Sequence, residues 1–189
     1  MTGTDLADPA TAASAGRVER DYRRLFGPDA LRGARLGVVR GYFGWHAEIE
    51  RQFPAVLDAL RAAGAELVDP ADLKRRDELG DAEYEVLLYE FKHDLNAYLG
   101  ALPDRGQPRT LAALIDWNRA HAAREMPWFG QDVFEAAEAK GPLTEPAYGE
   151  ALATCRRLSR DEGLDRLFGG ERPLDALVSP TTGPAYLTD

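Results

Sequence analysis

The chain has 189 residues, 44% of them apolar, which is the length of one large domain and enough for a core that buries roughly 70% of the unfolded surface. Thirty-two acidic against 23 basic side chains leave a net charge of −9, so neither nucleic acid nor an anionic membrane is expected as a partner. Cys155 is the single cysteine, which excludes an intrachain disulfide and a cysteine-rich zinc site; no apolar run approaches the roughly 18 residues of a bilayer span, MTGTDLADPATAAS is not a secretory leader, and a cytoplasmic location is expected.

Residues 1–16 are small and polar, with Asp8-Pro9 as a turn former, and residues 10–25 read as a helix with a mostly polar surface. Gly33 introduces ARLGVVRG, in which Leu36, Val38 and Val39 predict a short buried strand that Gly41 and Gly44 end. From His46 to Ala63 the residues Ile49, Phe53, Val56, Leu57 and Leu60 recur at steps of three and four, the period of an amphipathic helix. Pro54 either kinks that helix or marks its first turn. Gly64 suits the position after its C-cap, and AELVDP reads as a second strand. Strand, helix and strand in about 40 residues predict a parallel βαβ unit with a right-handed crossover.

The middle of the chain is helical in period. Tyr84, Leu87, Leu88, Phe91, Leu95, Tyr98 and Leu99 form one long stripe, expected to lie in a core. After PDRGQP a second helix is expected with Thr110 as N-cap, carrying Leu111, Leu114, Ile115 and Trp117 and ended by Pro127. A short helix follows over residues 131–140. A further one has Thr144 as N-cap and Pro146 in its first turn, then Tyr148, Leu152, Cys155 and Leu158 on one stripe up to Gly163. The last segment, LDALVSPTTGPAYLTD, reads as a buried strand running into a loop set by Pro180, Gly183 and Pro184.

Residue chemistry yields no complete catalytic set. RGYFGW, between a strand and a helix, offers only G-x-x-G, and a plain turn explains it better than a phosphate cradle. His46, His93 and His121 are scattered. Glu90 and Asp94 share a helix face without a histidine at ligand spacing, so a solvated or salt-bridged face with Lys92 nearby is preferred to a metal site. Cys155 sits on an apolar stripe and reads as a small core residue. Of the serines Ser14, Ser159 and Ser179, none lies in a G-x-S-x-G elbow, and Ser179, at a strand end, is the most interesting. Lys74, Lys92 and Lys140 occupy polar settings where an ordinary solvated amine is expected.

Taken in order, DPATAAS, LRGARLGVVRGYFG, AAGAELVDPADL, YEFKHDLNAYLGAL, the long RTLAALIDWNRAHAAREMPWFGQDVFEAAEAKGPLTEPAYGEAL and LDALVSPTTGPA resemble the amidase-signature family of serine hydrolases over nearly all 189 residues. The resemblance implies an α/β fold with a partial mixed sheet, a βαβ unit and a helical insertion. As one partial domain over residues 1–189 it comprises a linker and helix (1–32), the βαβ unit (33–80), the helical region (81–169), and a strand with a truncated loop (170–189).

The chemistry the resemblance implies is hydrolysis of a linear amide by a serine, assisted by a second serine in a cis peptide and a lysine, through an acyl-enzyme. In the family those residues precede the stretch that DPATAAS resembles, so no catalytic residue maps here, and no cofactor or metal is implied. The loop carrying Ser179, Thr181, Thr182 and Gly183 corresponds to one that approaches the acyl-binding pocket. The resulting expectation is the substrate-side portion of an amidase, inactive alone, taking a small-molecule amide only when missing segments complete it, with self-association or a complementing chain as partners. The alternatives are one component of a split amidase and a non-catalytic small-molecule binding or scaffold protein.

Overall fold

The computed structural model describes residues 3–6, 8–19, 21–44 and 46–181. The chain divides into two compact units, Met1–Asp72 with Pro173–Asp189, and Leu73–Arg172.

The first unit is built on a parallel sheet. Strand β1 (Arg35–Val38) leads through helix α1 (Ala47–Ala62) to β2 (Glu66–Val68), and β3 (Ala176–Val178) joins the other side of β1, giving the order β2-β1-β3. All three strands are parallel, with Leu36 opposite Leu67 on one side and Gly37 opposite Leu177 on the other. β1 is buried from Leu36 to Val38 without alternation, as a central parallel strand should be. Val38 packs on Phe53 and Leu57 of α1. From the opposite face, a Cβ added at Gly37 would lie 2.5 Å from Leu174 Cδ1 and 2.8 Å from Ala71 Cβ, so only glycine fits in this strand.

Helix α1 runs through Pro54, which therefore lies in its interior and withholds one ladder hydrogen bond. Its end follows the expected signal. Gly64, at φ +95°, donates to the Arg61 carbonyl and Ala65 to the Leu60 carbonyl, the paired bonds of a Schellman motif. The helix expected over residues 10–25 is replaced by two 3₁₀ turns, Pro9–Ser14 and Tyr22–Leu25. Gly16, at φ +74°, separates them, and neither turn has a buried residue, so no packed face stabilises a longer helix.

The second unit is helical. Helix α2 (Arg76–Ala101) is its spine, and α3 (Leu111–Ala120), α5 (Asp132–Glu138) and α6 (Pro146–Arg156) all pack on it; α4 (Ala122–Glu125) is a single turn, and a π-helical stretch (Arg157–Leu164) leads from α6 into α7 (Asp165–Phe168). The core joins Leu88 to Leu111, Ile115 and Ala137, with Phe91, Leu95 and Phe134 around them. The stripe read along α2 therefore divides. Leu88 is buried, whereas Tyr84, Leu87 and Tyr98 are exposed, because Leu88 turns toward the packed helices and these three do not. Thr110 caps α3 as expected, its hydroxyl accepting from Ala113 N–H at 3.1 Å. That helix ends at Ala120 rather than at Pro127, since the chain departs from helical geometry at His121 before the α4 turn. The N-cap of α6 is Glu145 instead of Thr144, because Pro146 at the first helical position holds the residue before it extended, at φ −68°, ψ 142°.

Part-buried polar ties fasten the α5–α6 connection to α2. Lys92 Nζ donates to the carbonyls of Glu138 (2.6 Å) and Lys140 (2.7 Å), which leaves it turned away from Glu90 and Asp94. Lys140 reaches both carboxylate oxygens of Glu85 at 2.7 Å, and the Tyr89 hydroxyl donates to Glu145 at 2.6 Å. Glu145 lies over Gly141 so closely that an added Cβ there would be 1.9 Å from its Oε1.

Candidate functional site

In a parallel sheet every strand delivers its following loop to the same edge, where open α/β folds hold their ligands. Here the last rungs of that edge are Val39 N–H donating to the Val178 carbonyl (3.0 Å) and Ala71 N–H donating to the Val38 carbonyl (2.8 Å). Three segments leave it together: residues 40–44 after β1, 69–72 after β2, and 179–181 after β3. Ser179 stands directly after β3 and is half-buried, and Thr181 is exposed. Thr182 and Gly183 lie outside the described residues.

The first two segments are locked by charge. Arg40 Nε and Nη2 donate to the two carboxylate oxygens of Asp69 at 2.8 and 2.5 Å, a bidentate pair whose guanidinium also lies 4.9 Å from the Phe43 ring centroid. The hydrogen bonds from Arg40 hold the Asp69 carboxyl below its ordinary value. Gly41 N–H donates to Asp72 Oδ1 at 2.7 Å, and Gly44 N–H to Glu50 Oε1 at 2.6 Å. Both glycine amides of the G-x-x-G turn are thus occupied by the protein's own carboxylates, in keeping with a turn rather than a phosphate cradle. Arg40, Asp69 and Asp72 were not singled out by sequence reasoning. The available signal was a basic residue after one predicted strand and acidic residues after its parallel neighbour.

The remaining candidates lie elsewhere. Glu90 accepts from the Tyr148 hydroxyl at 2.8 Å and Asp94 meets His93 Nδ1 at 2.7 Å; among the described residues no group of three His, Cys, Asp or Glu side chains is placed to hold a metal. Cys155 is half-buried on α6, and burial pushes its thiol pKa up, away from the reactive thiolate. Ser14 and Ser159 donate to the nearby carbonyls of Thr11 and Cys155, each at 2.7 Å. With Lys92 and Lys140 engaged as above, no serine hydroxyl is hydrogen-bonded to a lysine among the described residues. At this edge Ser179 and Thr181 follow β3 in the chain, and the segments after β1 and β2 are joined by the Arg40–Asp69 pair. Among the described residues no helix is long and apolar enough to cross a membrane.

A parallel βαβ unit followed by an all-helical unit makes this an α/β chain, and comparison with known proteins gives its family. The chain belongs to the amidase family, whose sequence model matches residues 1–188. It is similar to a glutamyl-tRNA(Gln) amidotransferase subunit of Deinococcus radiodurans, 31% identical over 166 residues that cover 85% of this chain and 32% of that protein. Among solved structures, the native peptide amidase of Stenotrophomonas maltophilia superposes with a TM-score of 0.74 at 38% identity, over 87% of this chain and 33% of that one. A peptide amidase in complex with the competitive inhibitor chymostatin gives a TM-score of 0.77 at the same identity and coverage. The chain spans about a third of the length of the relatives it matches.

Proposed function

We propose that this chain forms the substrate-side portion of an amidase that hydrolyses linear amide C–N bonds, with peptide amides as the first substrate class to test. The observation that carries the reading is the match of residues 1–188 to the amidase family together with coverage of only a third of the relatives. The serine–serine–lysine machinery is then supplied by other sequence, and the 189 residues alone form one partial, cytoplasmic amidase domain without turnover. Ser179, Thr181, Thr182 and Gly183 contribute the loop that lines the acyl side of the substrate. A second reading, one component of an enzyme completed by a separate chain, is favoured by the relative whose own name marks it as part of a larger assembly.

The test is hydrolysis of a panel of peptide, aliphatic and aromatic primary amides by the purified chain. No release of ammonia is expected, because removing triad members costs several orders of magnitude in rate. Turnover that Ser179→Ala abolishes would refute the assignment of catalysis to sequence outside these residues.

A further inference from the structure

Helix α6 does not stop at Arg156 but continues in a different winding. The Arg157 N–H still donates to the Ala153 carbonyl, four residues back, whereas the Asp165 N–H donates to the Arg160 carbonyl, five residues back. Five-residue steps bring residues i and i+5 one above the other, while in an α-helix they lie about 140° apart around the axis. Two ion pairs have that wider spacing. Arg157 Nη1 donates to Glu162 Oε1 at 2.6 Å, and Arg160 Nε donates to Asp165 Oδ1 at 3.1 Å. Gly163 is buried, and a Cβ there would lie 2.5 Å from the carbonyl oxygen of Leu158, again five residues back, so this winding admits only glycine at that position.

The sequence also carries pairs at the narrower spacing. Asp161 is four residues from Arg157, and Glu162 is four from Arg166. Asp161 is exposed and has no ion-pair partner among the described residues. Glu78, in the first turn of α2 and itself paired with Arg75, accepts from Arg157 Nη2 at 3.1 Å, so Arg157 is held in place whichever acid it takes as its second partner. We propose that residues 157–164 form a two-register element: the five-residue winding is selected by Arg157–Glu162, Arg160–Asp165 and Gly163, and an α-helical winding with Arg157–Asp161 and Glu162–Arg166 is its alternative. Rewinding passes one surplus residue toward α7, which turns that helix by about 100° and advances it by ~1.5 Å. No residue of α7 is buried, and the pair Gly169 and Gly170 follows it, so the movement disrupts no core and is taken up in a glycine turn. Every residue of this element lies within the helical unit, and the inference does not depend on the amidase reading.

NMR couplings across hydrogen bonds read the register directly: the Asp165 amide couples to the carbonyl carbon of Arg160 in one winding and of Asp161 in the other. The wild-type chain should show the Arg160 coupling. Gly163→Ala adds the excluded Cβ and raises helix propensity by roughly fivefold. Its coupling should move to Asp161, with helical carbon shifts kept throughout residues 157–164. Register shifts of helices fall in the μs–ms range, so relaxation dispersion of the α7 amides reports the population of the minor winding. Glu162→Gln leaves Asp161 as the remaining acid for Arg157 and should raise that population by roughly twofold, while Asp161→Asn should lower it by a similar factor. An Arg160 coupling that survives in Gly163→Ala overturns the proposal, and so does a loss of helical shifts in that variant, which would mean that the stretch has a single register. Dispersion that changes alike in Glu162→Gln and Asp161→Asn, or in neither, overturns the selection by charge.

Discussion

Leu87 and Leu88 are neighbours in α2, equal in composition and helix propensity, and the structure gives them opposite environments. Leu88 is 4% exposed and packs in the cluster with Leu111, Ile115 and Ala137, whereas Leu87 is about half exposed. Replacing Leu88 with alanine removes three carbon groups worth about 2.4 kcal/mol in transfer, and the cavity left in a closed core brings such deletions to ~3–5 kcal/mol. The same replacement at Leu87 forfeits about half the transfer part and opens no cavity, so ~1 kcal/mol is expected. Any effect of alanine on helix propensity is common to both, and the difference of ~2–4 kcal/mol isolates burial. Guanidinium unfolding followed by circular dichroism is the assay, with the m-value as a check that the unfolded state is unaltered. Equal midpoint shifts for the two variants would refute the placement of the α2 core face.

Two further predictions concern titration. Glu145, by accepting the Tyr89 hydroxyl, pushes the Tyr89 pKa up to about 12, so Glu145→Gln should bring it back toward the ordinary ~10, read by NMR of ring-labelled tyrosine. Because the folded pKa is the higher one, the linked stability is fully present below pH ~10 and is lost as pH rises toward about 12; an unmoved Tyr89 titration in the variant would count against the hydrogen bond. Asp69 shifts the other way under the hydrogen bonds from Arg40. Its contribution is present above the ordinary carboxylate value of ~3.9 and is lost as pH falls below it, so Asp69→Asn should flatten the acid limb of the stability profile, and an unchanged limb would deny the pairing.

The fold was legible where the signal is local. The three-and-four spacing from Ile49 to Leu60, the positive-φ Gly64 and the Thr110 cap depend on residues within a turn or two, and each appears as read. The division of the α2 stripe was not legible, because which of two adjacent leucines faces inward is decided by helices that arrive later in the chain. The start of α6 was missed by one position since Pro146 acts on its predecessor and overrides the capping preference of Thr144. At the sheet edge, the position of Ser179 directly after a strand was legible from the sequence. The Arg40–Asp69 pair was not, because it spans 29 residues and becomes apparent only when β1 and β2 are laid side by side. The 10–25 segment shows the converse: helical composition without a buried face does not make a helix.

The central place of β1 has a consequence for the order of assembly. On one side it meets β2, with Arg35 and Glu66 only 31 residues apart; on the other it meets β3, with Arg35 and Asp175 separated by 140. Closing the longer loop costs ~1.3 kcal/mol more in chain entropy for a flexible chain. β1, α1 and β2 can thus associate as soon as residue 68 is available, while the other edge of β1 stays without a hydrogen-bonding partner until the whole helical unit has been made. During synthesis that bare edge persists for more than a hundred residues, and any strand offered to it in that interval competes with β3.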